Sequence, residues 1–317
     1  MATLTHPIPS GFEEDEAKTF VVSKKTKRLW SVLLDLLAEF DRVCKANDVQ
    51  YFADAGTILG AARHKGMIPW DDDIDVIMFR DQYEKLCQIA PTAFTHPYFF
   101  QTNDSDPGSC RGHAQLRNST TTGILKCEMS DGKPLYRFNQ GIFMDVFVMD
   151  NVPDDDVELQ DFCNEISRRK SKLWYLRYAM ATYSKWSWVC LCSPLRLLRY
   201  LKMTFFRIKS VVLGKDIITL MNDDIEKFAQ KYNRTRTARC APVSFRPRRK
   251  PGEFFRRCLF DDVVRMPFEF LEVPVPAGWR ELLEGRYGDW NRHVVGASTH
   301  GGMLLDVDRP YTEYLKK

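Results

Sequence analysis

No secretory leader is expected from the N-terminal pattern, and the chain has no zinc-type cysteine pair and no strong excess of either charge. Its N-terminus, MATLTHPIPSGFEEDEAKTF, has neither a basic start nor an apolar centre, so export is not expected. Nine cysteines, an odd count, lie scattered with no pair separated by two residues, and Cys190 and Cys192 sit too close for a usual chelating pair. Zinc knuckles are thereby excluded, and reduced thiols in a cytoplasmic protein are expected. A formal charge of +4 over 317 residues is no footprint for nucleic acid, and none is expected as a partner. No internal repeat is evident.

What remains is the composition of a globular protein, 44% hydrophobic and long enough to bury a sizeable core. Residues 1–15 read as a flexible arm. From about Glu16 to Asn47, Trp30, Val32, Leu33, Leu36, Leu37, Phe40 and Val43 recur at helical spacing. VQYFADA (49–55) predicts a short strand, broken at Gly56-Thr57 and followed by a short helix that Gly66 can end. DIDVIMF (73–79) predicts a strand leaving a polar edge, and Asp81 is expected to cap the next helix. Further strands are predicted at 98–102, 112–118 and 141–150, and helices at about 155–183, 194–212 and 216–233. A basic loop is expected over 234–252, then two short strands and a helix. The fold class is α+β, a mixed sheet with flanking helices and a helical insertion.

The chemistry is concentrated in carboxylates. On a strand, residues i and i+2 share a face, so Asp73 and Asp75 are expected to project together, two rises of ~3.3 Å apart, and to hold a divalent cation. Asp71 joins them as a candidate ligand, while Asp72 is expected to face solvent or support the others. Four aspartates in five positions repel one another unless a cation is present. By contrast, the acidic run at 153–156 opens a polar helix and reads as a cap. Gly56 and Thr57 stand where a strand passes into a helix, a place suited to an anion. Arg63, His64, Lys65 and Arg117 are candidate phosphate contacts. Asp145 is the one charge inside the apolar run GIFMDVFVMD.

GTILGAARHKGMIPWDDDIDV resembles the signature of the LicD family, the group that includes fukutin-related protein. QLRNSTT (115–121), GIFMDVFVMDNVP (141–153) and MPFEFLEVPVPAGWRELLEGRYGDW (266–290) extend the likeness over nearly the whole chain, least in the helical middle. The resemblance implies a nucleotidyltransferase-like core at 16–153, a helical basic region at 154–252, and a C-terminal part, 253–317, that completes the core. It makes Asp145 the third acid beside Asp73 and Asp75, a ligand of Mg²⁺ or Mn²⁺ and a candidate base toward the acceptor. His300 matches a histidine near the family's C-terminus and is a candidate substrate contact.

The implied reaction transfers a phospho-alcohol from a CDP-activated donor to a glycan hydroxyl, with CMP leaving. Bacterial members use CDP-choline and modify lipopolysaccharide or teichoic acid, whereas the fukutin branch uses CDP-ribitol; with no zinc-type cysteine cluster, this chain resembles the bacterial type. Transfer from another CDP-alcohol, true nucleotidyl transfer and a catalytically silent glycan- or membrane-binding module are the alternatives. For choline, Trp70, Tyr287 and Trp290 are candidate cage aromatics. The stretch 186–215 mixes leucines and aromatics with Arg196, Arg199, Lys202, Arg207 and Lys209, too charged to span a bilayer. It is expected either to pack on the domain or to touch an anionic membrane from the cytoplasmic side, where a lipid-linked glycan acceptor would lie.

Overall fold

In a computed structural model, which describes residues 1–17, 20–183, 193–245, 247, 254–295 and 302–316, the site-bearing elements follow the expected order. They are α1 (Lys24–Ala46), β1 (Phe52–Ala53), α2 (Ala55–Arg63), β2 (Asp75–Phe79), α3 (Arg80–Ala93), β3 (Tyr98–Gln101), β4 (Ala114–Asn118) and β5 (Ile142–Val152). Then come α4 (Asp156–Thr182), α5 (Pro194–Leu213), α6 (Ile217–Ala229), β6 (Arg239–Ala241), β7 (Phe255–Arg256), β8 (Val263–Phe268), β9 (Leu271–Pro276) and α7 (Trp279–Tyr287). The fold is α+β, built on a seven-stranded mixed sheet of β1–β7. Its one parallel pair joins β2 to β5; the other ladders are antiparallel.

The side-chain alternation of strands sorts this sheet into two faces. Val76, Met78, Ala114, Leu116, Ile142, Met144 and Val146 join the apolar stripe of α1 in the main core. Toward the other face point Ile77, Phe147 and Met149, which meet Phe52, Cys240, Phe255 and Phe260. The acidic positions of β2 and β5 belong to this second face. A third cluster holds α4, α5 and α6 against Val152, Ala241 and Val243.

Several boundaries differ from expectation. α1 begins at Lys24 rather than Glu16, because residues 16–17 pair with Val21–Val22 and the Ser23 side chain then caps the helix by accepting from Thr26 N. Asp81 lies in the first turn of α3 with Phe79 at the cap, so the predicted cap is two residues out of place. Within the expected basic loop, Arg239–Ala241 instead pairs with β5, since Cys240 and Ala241 are fully buried there. Nor is the N-terminal arm loose: Thr5 N and His6 N donate to Asp35 Oδ1 at 2.9 and 2.8 Å, and Asn118 Nδ2 donates to Thr3 O at 2.8 Å. Among the described residues no helix is long and apolar enough to cross a membrane.

The helical region is fastened to the sheet by charge. Arg80, the first residue of α3, makes two hydrogen bonds to Asp150 of β5 at 2.8 and 2.6 Å and a third to Glu226 of α6 at 2.8 Å. Asn233 donates to the same Asp150 carboxylate at 2.7 Å. Removing one partner of such a buried pair strands the other charge, at a cost of ~3–5 kcal/mol. Arg80→Ala should therefore lower unfolding free energy by about that amount in urea titration; a loss under about 1 kcal/mol would place the network outside the folded core's essential ties.

Candidate active site

At one edge of the acidic face, register alone builds a polar row. Asp75 pairs with Asp145, Asp145 with Gln115, and Gln115 with Gln101, across β2, β5, β4 and β3. Neighbouring strands lie ~4.8 Å apart, so Asp75 and Asp145 stand side by side. The strand begins at Asp75, however, so Asp73 precedes it. Ile74 O still accepts from Asp145 N at 2.9 Å, which fixes the turn just before the strand. Asp73 gathers with Asp71 and Asp72 instead, one carboxylate oxygen from each lying within 4.8 Å of the others. Three acids thus sit on the turn and one on the strand, and Asp72, expected to face away, belongs to the cluster.

The surrounding chain is arranged to hold this turn. Trp30 Nε1 of α1 donates to Asp71 O at 3.0 Å. Thr57 Oγ1 accepts from Asp75 N at 2.8 Å, so this buried hydroxyl ties α2 to the strand edge, not to a substrate. A Cβ on Gly56 would lie 2.3 Å from Asp71 Oδ2, so the glycine is what lets that carboxylate lie against the helix start. Next to it, Ala55 has φ +45, a left-handed conformation costing a residue with a Cβ about 1–3 kcal/mol.

The electrostatic consequence is strong. Burial raises the Asp71 carboxyl to about 8, helped by the Asp73 charge, a hydrogen bond with Asp73, and Asp72. Burial also holds Asp75 well above the usual carboxylate range, with Asp73, Asp145, Asp54 and Asp71 adding to it. Asp54 is itself matched, because Arg286 Nη1 of α7 donates to its Oδ1 at 2.9 Å.

The four aspartates 71, 72, 73 and 75 line a cavity of about 510 Å³. Opposite them stand residues from the C-terminal part: Arg286, Tyr287, Trp290 and Arg292. Gly56, Arg63 and Trp70 complete the wall, so all three candidate cage aromatics face the same space as the acids. Arg63 holds the two halves together, Nη1 donating to Trp290 O at 2.9 Å and to Arg292 O at 2.8 Å.

The other predicted cations fall elsewhere. Lys65 is exposed and absent from the cavity wall, with its carbonyl taken by Glu269 N at 2.8 Å. His64 closes the end of α2, and burial beside Arg63 and His293 pulls it down to about 4, leaving it neutral at physiological pH. Arg117 is 1% exposed inside the sheet and cannot reach a cavity substrate. It donates to Gln101 Oε1 at 2.6 Å, to Gly141 O at 2.6 Å and to Gln115 Oε1. Gln115 Nε2 in turn donates to Asp145 Oδ1 at 2.6 Å, and His113 Nε2 lies 3.1 Å from the same oxygen. Asp145 is 4% exposed, beside Asp75 on the same face of the sheet, and does not line the cavity. His300 lies outside the described residues.

Asp54, Arg286, His113 and Gln115 escaped the sequence reading. Asp54 stands two residues before Gly56 in the strand-to-helix passage, and Gln115 stands two residues from Arg117 on a predicted strand, so both carried a positional signal. The ion pair from Arg286, 232 residues away, carried none.

These features define an α+β protein whose acidic strand edge, beside a glycine-led helix start, faces a cavity closed by aromatics and arginines. The chain carries a LicD-family domain. Residues 48–130 match the model described as LicD/FKTN/FKRP, nucleotidyltransferase domain. Over 270 residues the chain is 27% identical to the lipopolysaccharide cholinephosphotransferase LicD of Haemophilus influenzae, covering 82% of this chain and 88% of that protein. It is also 33% identical over 79 residues to the uncharacterized protein RP689 of Rickettsia prowazekii, 25% of this chain and 28% of that one.

The acidic cluster makes stability depend on pH in a defined direction. Asp71 titrates near 3.8 ordinarily and about 8 when folded, so the folded form keeps its proton longer and loses stability as pH rises through that window. In EDTA, Asp71→Asn should gain on the wild type in melting temperature between pH 5 and pH 8. A constant offset across that range would mean that the Asp71 carboxyl is not buried among like charges.

Proposed function

We propose that this protein transfers phosphocholine from CDP-choline to a hydroxyl of a cell-surface glycan and releases CMP. The observation that carries the reading is the cavity of about 510 Å³, which Asp71, Asp73 and Asp75 line together with Trp70, Tyr287 and Trp290. The Haemophilus influenzae relative, a lipopolysaccharide cholinephosphotransferase, supports both the choline phosphate and the glycan acceptor.

The donor set fits a hard divalent cation, since it is all carboxylate oxygen and its members repel one another without one. Asp71, Asp73 and Asp75 would hold Mg²⁺ or Mn²⁺, with Asp145 beside Asp75. Such an ion, when bound, offsets charge on the donor diphosphate and on the departing CMP. The protein's own groups do the rest. Trp70, Tyr287 and Trp290 offer ring faces to the quaternary ammonium, each worth ~0.5–2 kcal/mol. Arg63, Arg286 and Arg292, on the same wall, supply positive charge toward phosphate oxygens. The acceptor oxygen attacks the phosphorus that bears choline, and the bond from that phosphorus to the CMP oxygen breaks. A cavity-lining carboxylate takes the acceptor's proton, because Asp145 Oδ1 is already engaged by Gln115 and His113. Ala55 and Gly56 keep the start of α2 close to Asp71, so the turn is held before substrate arrives.

Incubation with Mg²⁺, CDP-choline and a lipopolysaccharide acceptor should release CMP and no pyrophosphate. Asp75→Asn should slow this by roughly a hundredfold or more, the scale of losing a principal electrostatic stabiliser. Turnover at the wild-type rate in that variant would sink the assignment, and pyrophosphate as product would shift it to nucleotidyl transfer.

Metal binding is separable from turnover. At a Mg²⁺ concentration a hundred times its dissociation constant, the wild type should gain about 2.7 kcal/mol in stability. Asp75→Asn should melt higher than the wild type in EDTA, having lost a repelling charge, yet show no response to Mg²⁺. Gly56→Ala, whose methyl group displaces the Asp71 carboxylate, should show a reduced response in the same calorimetric scan.

A further inference from the structure

Helix α5 is apolar on two opposite sides. One side seats it: Met203 is 1% exposed and, with the partly buried Phe206, joins the core of α4 and α6. The other side is turned outward. Leu198, Leu201, Phe205, Ile208 and Val212 recur every three or four residues and are 63%, 55%, 62%, 59% and 78% exposed. At 3.6 residues per turn they form one stripe along a helix of 20 residues, or ~30 Å. Isolated exposed leucines need no explanation, but a continuous stripe of this length does.

Charge identifies the occupant. Residues 194–215 contain Arg196, Arg199, Lys202, Arg207, Lys209 and Lys215 and no aspartate or glutamate. Helical geometry puts Lys202 and Lys209 along the border of the stripe. A second copy of this helix would answer the apolar side chains but bring the two cation sets together without an acid between them. An anionic lipid surface answers both at once: acyl chains for the stripe, headgroup phosphates for the cations. The helix is too charged to cross the bilayer and suited to lie in its surface.

We propose that α5 docks this protein on an anionic membrane, lying flat with Leu198, Leu201, Phe205, Ile208 and Val212 below the headgroups. Docking stands on α5 alone; that it presents the cavity to a lipid-linked acceptor rests on the transfer reading above.

The test is flotation of the full chain with vesicles of phosphatidylglycerol and phosphatidylcholine in equal parts, against vesicles of phosphatidylcholine alone. The wild type should float with the first and stay below with the second, and binding should weaken as salt rises. Leu201→Glu with Phe205→Glu should cut the bound fraction at least tenfold, and Lys202→Gln or Lys209→Gln about fivefold for each cation removed. All four positions are exposed, so circular dichroism should show an unchanged fold. CMP release with a soluble acceptor should also be unaltered, while the flotation result needs no turnover and survives failure of the transfer reading. A wild type that stays below with anionic vesicles overturns the proposal, as do acidic variants that float like the wild type. So would a dimer in solution that Leu201→Glu with Phe205→Glu dissolves, since the stripe would then belong to a second copy.

Discussion

Mutual repulsion among carboxylates is the constraint around which this structure is arranged. Asp71, Asp72 and Asp73 crowd on one turn, and Asp75 and Asp145 stand abreast on the parallel strand pair. Bringing such groups out of water without a counter-ion is costly, and the raised carboxyls of Asp71 and Asp75 express that cost. A turn under such strain would relax if it were free to move. It is not free: Trp30 holds it from the main core, Thr57 from α2, and the Ile74 carbonyl from β5. Stability in the large apolar core thus maintains an arrangement that the local charges oppose, which supports the proposed role of this edge in holding a cation.

The cavity in front of the acids depends on residues more than 200 positions apart. Arg63 reaches the backbone of the segment at 290–292, and Arg286 pairs with Asp54 directly before α2. Both links are made by guanidinium groups, which present several fixed donors and tie two polypeptide segments with one side chain. The same device fastens the helical region, where Arg80 joins β5 and α6. Long-range order in this fold therefore rests on a few arginines set between apolar layers. That choice explains how a polar cavity persists between elements whose apolar contacts lie on their other sides.

Legibility in the sequence followed the range of the interaction. The apolar periods of α1 and β5 are local, and these elements lie where those periods predict them, apart from the start of α1. Asp145 was visible as the one charge in an apolar strand, and its pairing with Asp75 follows once β2 and β5 are neighbours. The grouping of Asp73 with Asp71 and Asp72 was not visible, because period-two reasoning holds only inside a strand and the strand begins at Asp75. Lys65 and Arg117 were misplaced for a related reason. A cation beside a motif is equally readable as a ligand contact or a structural donor, and burial, which separates the two, is a tertiary property.

Arg117 shows what that buried cation does instead. A guanidinium has donors and no acceptor, so each amide that meets it must present its oxygen. Gln115 and Gln101 both do so, which turns the Gln115 NH₂ toward Asp145 and the Gln101 NH₂ toward Asp106 and the Asn139 carbonyl. A glutamine alone beside a carboxylate could rotate its amide at little cost; with Arg117 on its other side, rotation would set donor against donor in a water-free interior. The polarity of the row from Gln101 to Asp145 is therefore dictated by one residue that never reaches the cavity. Asp145 thus receives a hydrogen bond to Oδ1 from a Gln115 amide that cannot turn away, which holds its carboxylate in one orientation beside Asp75.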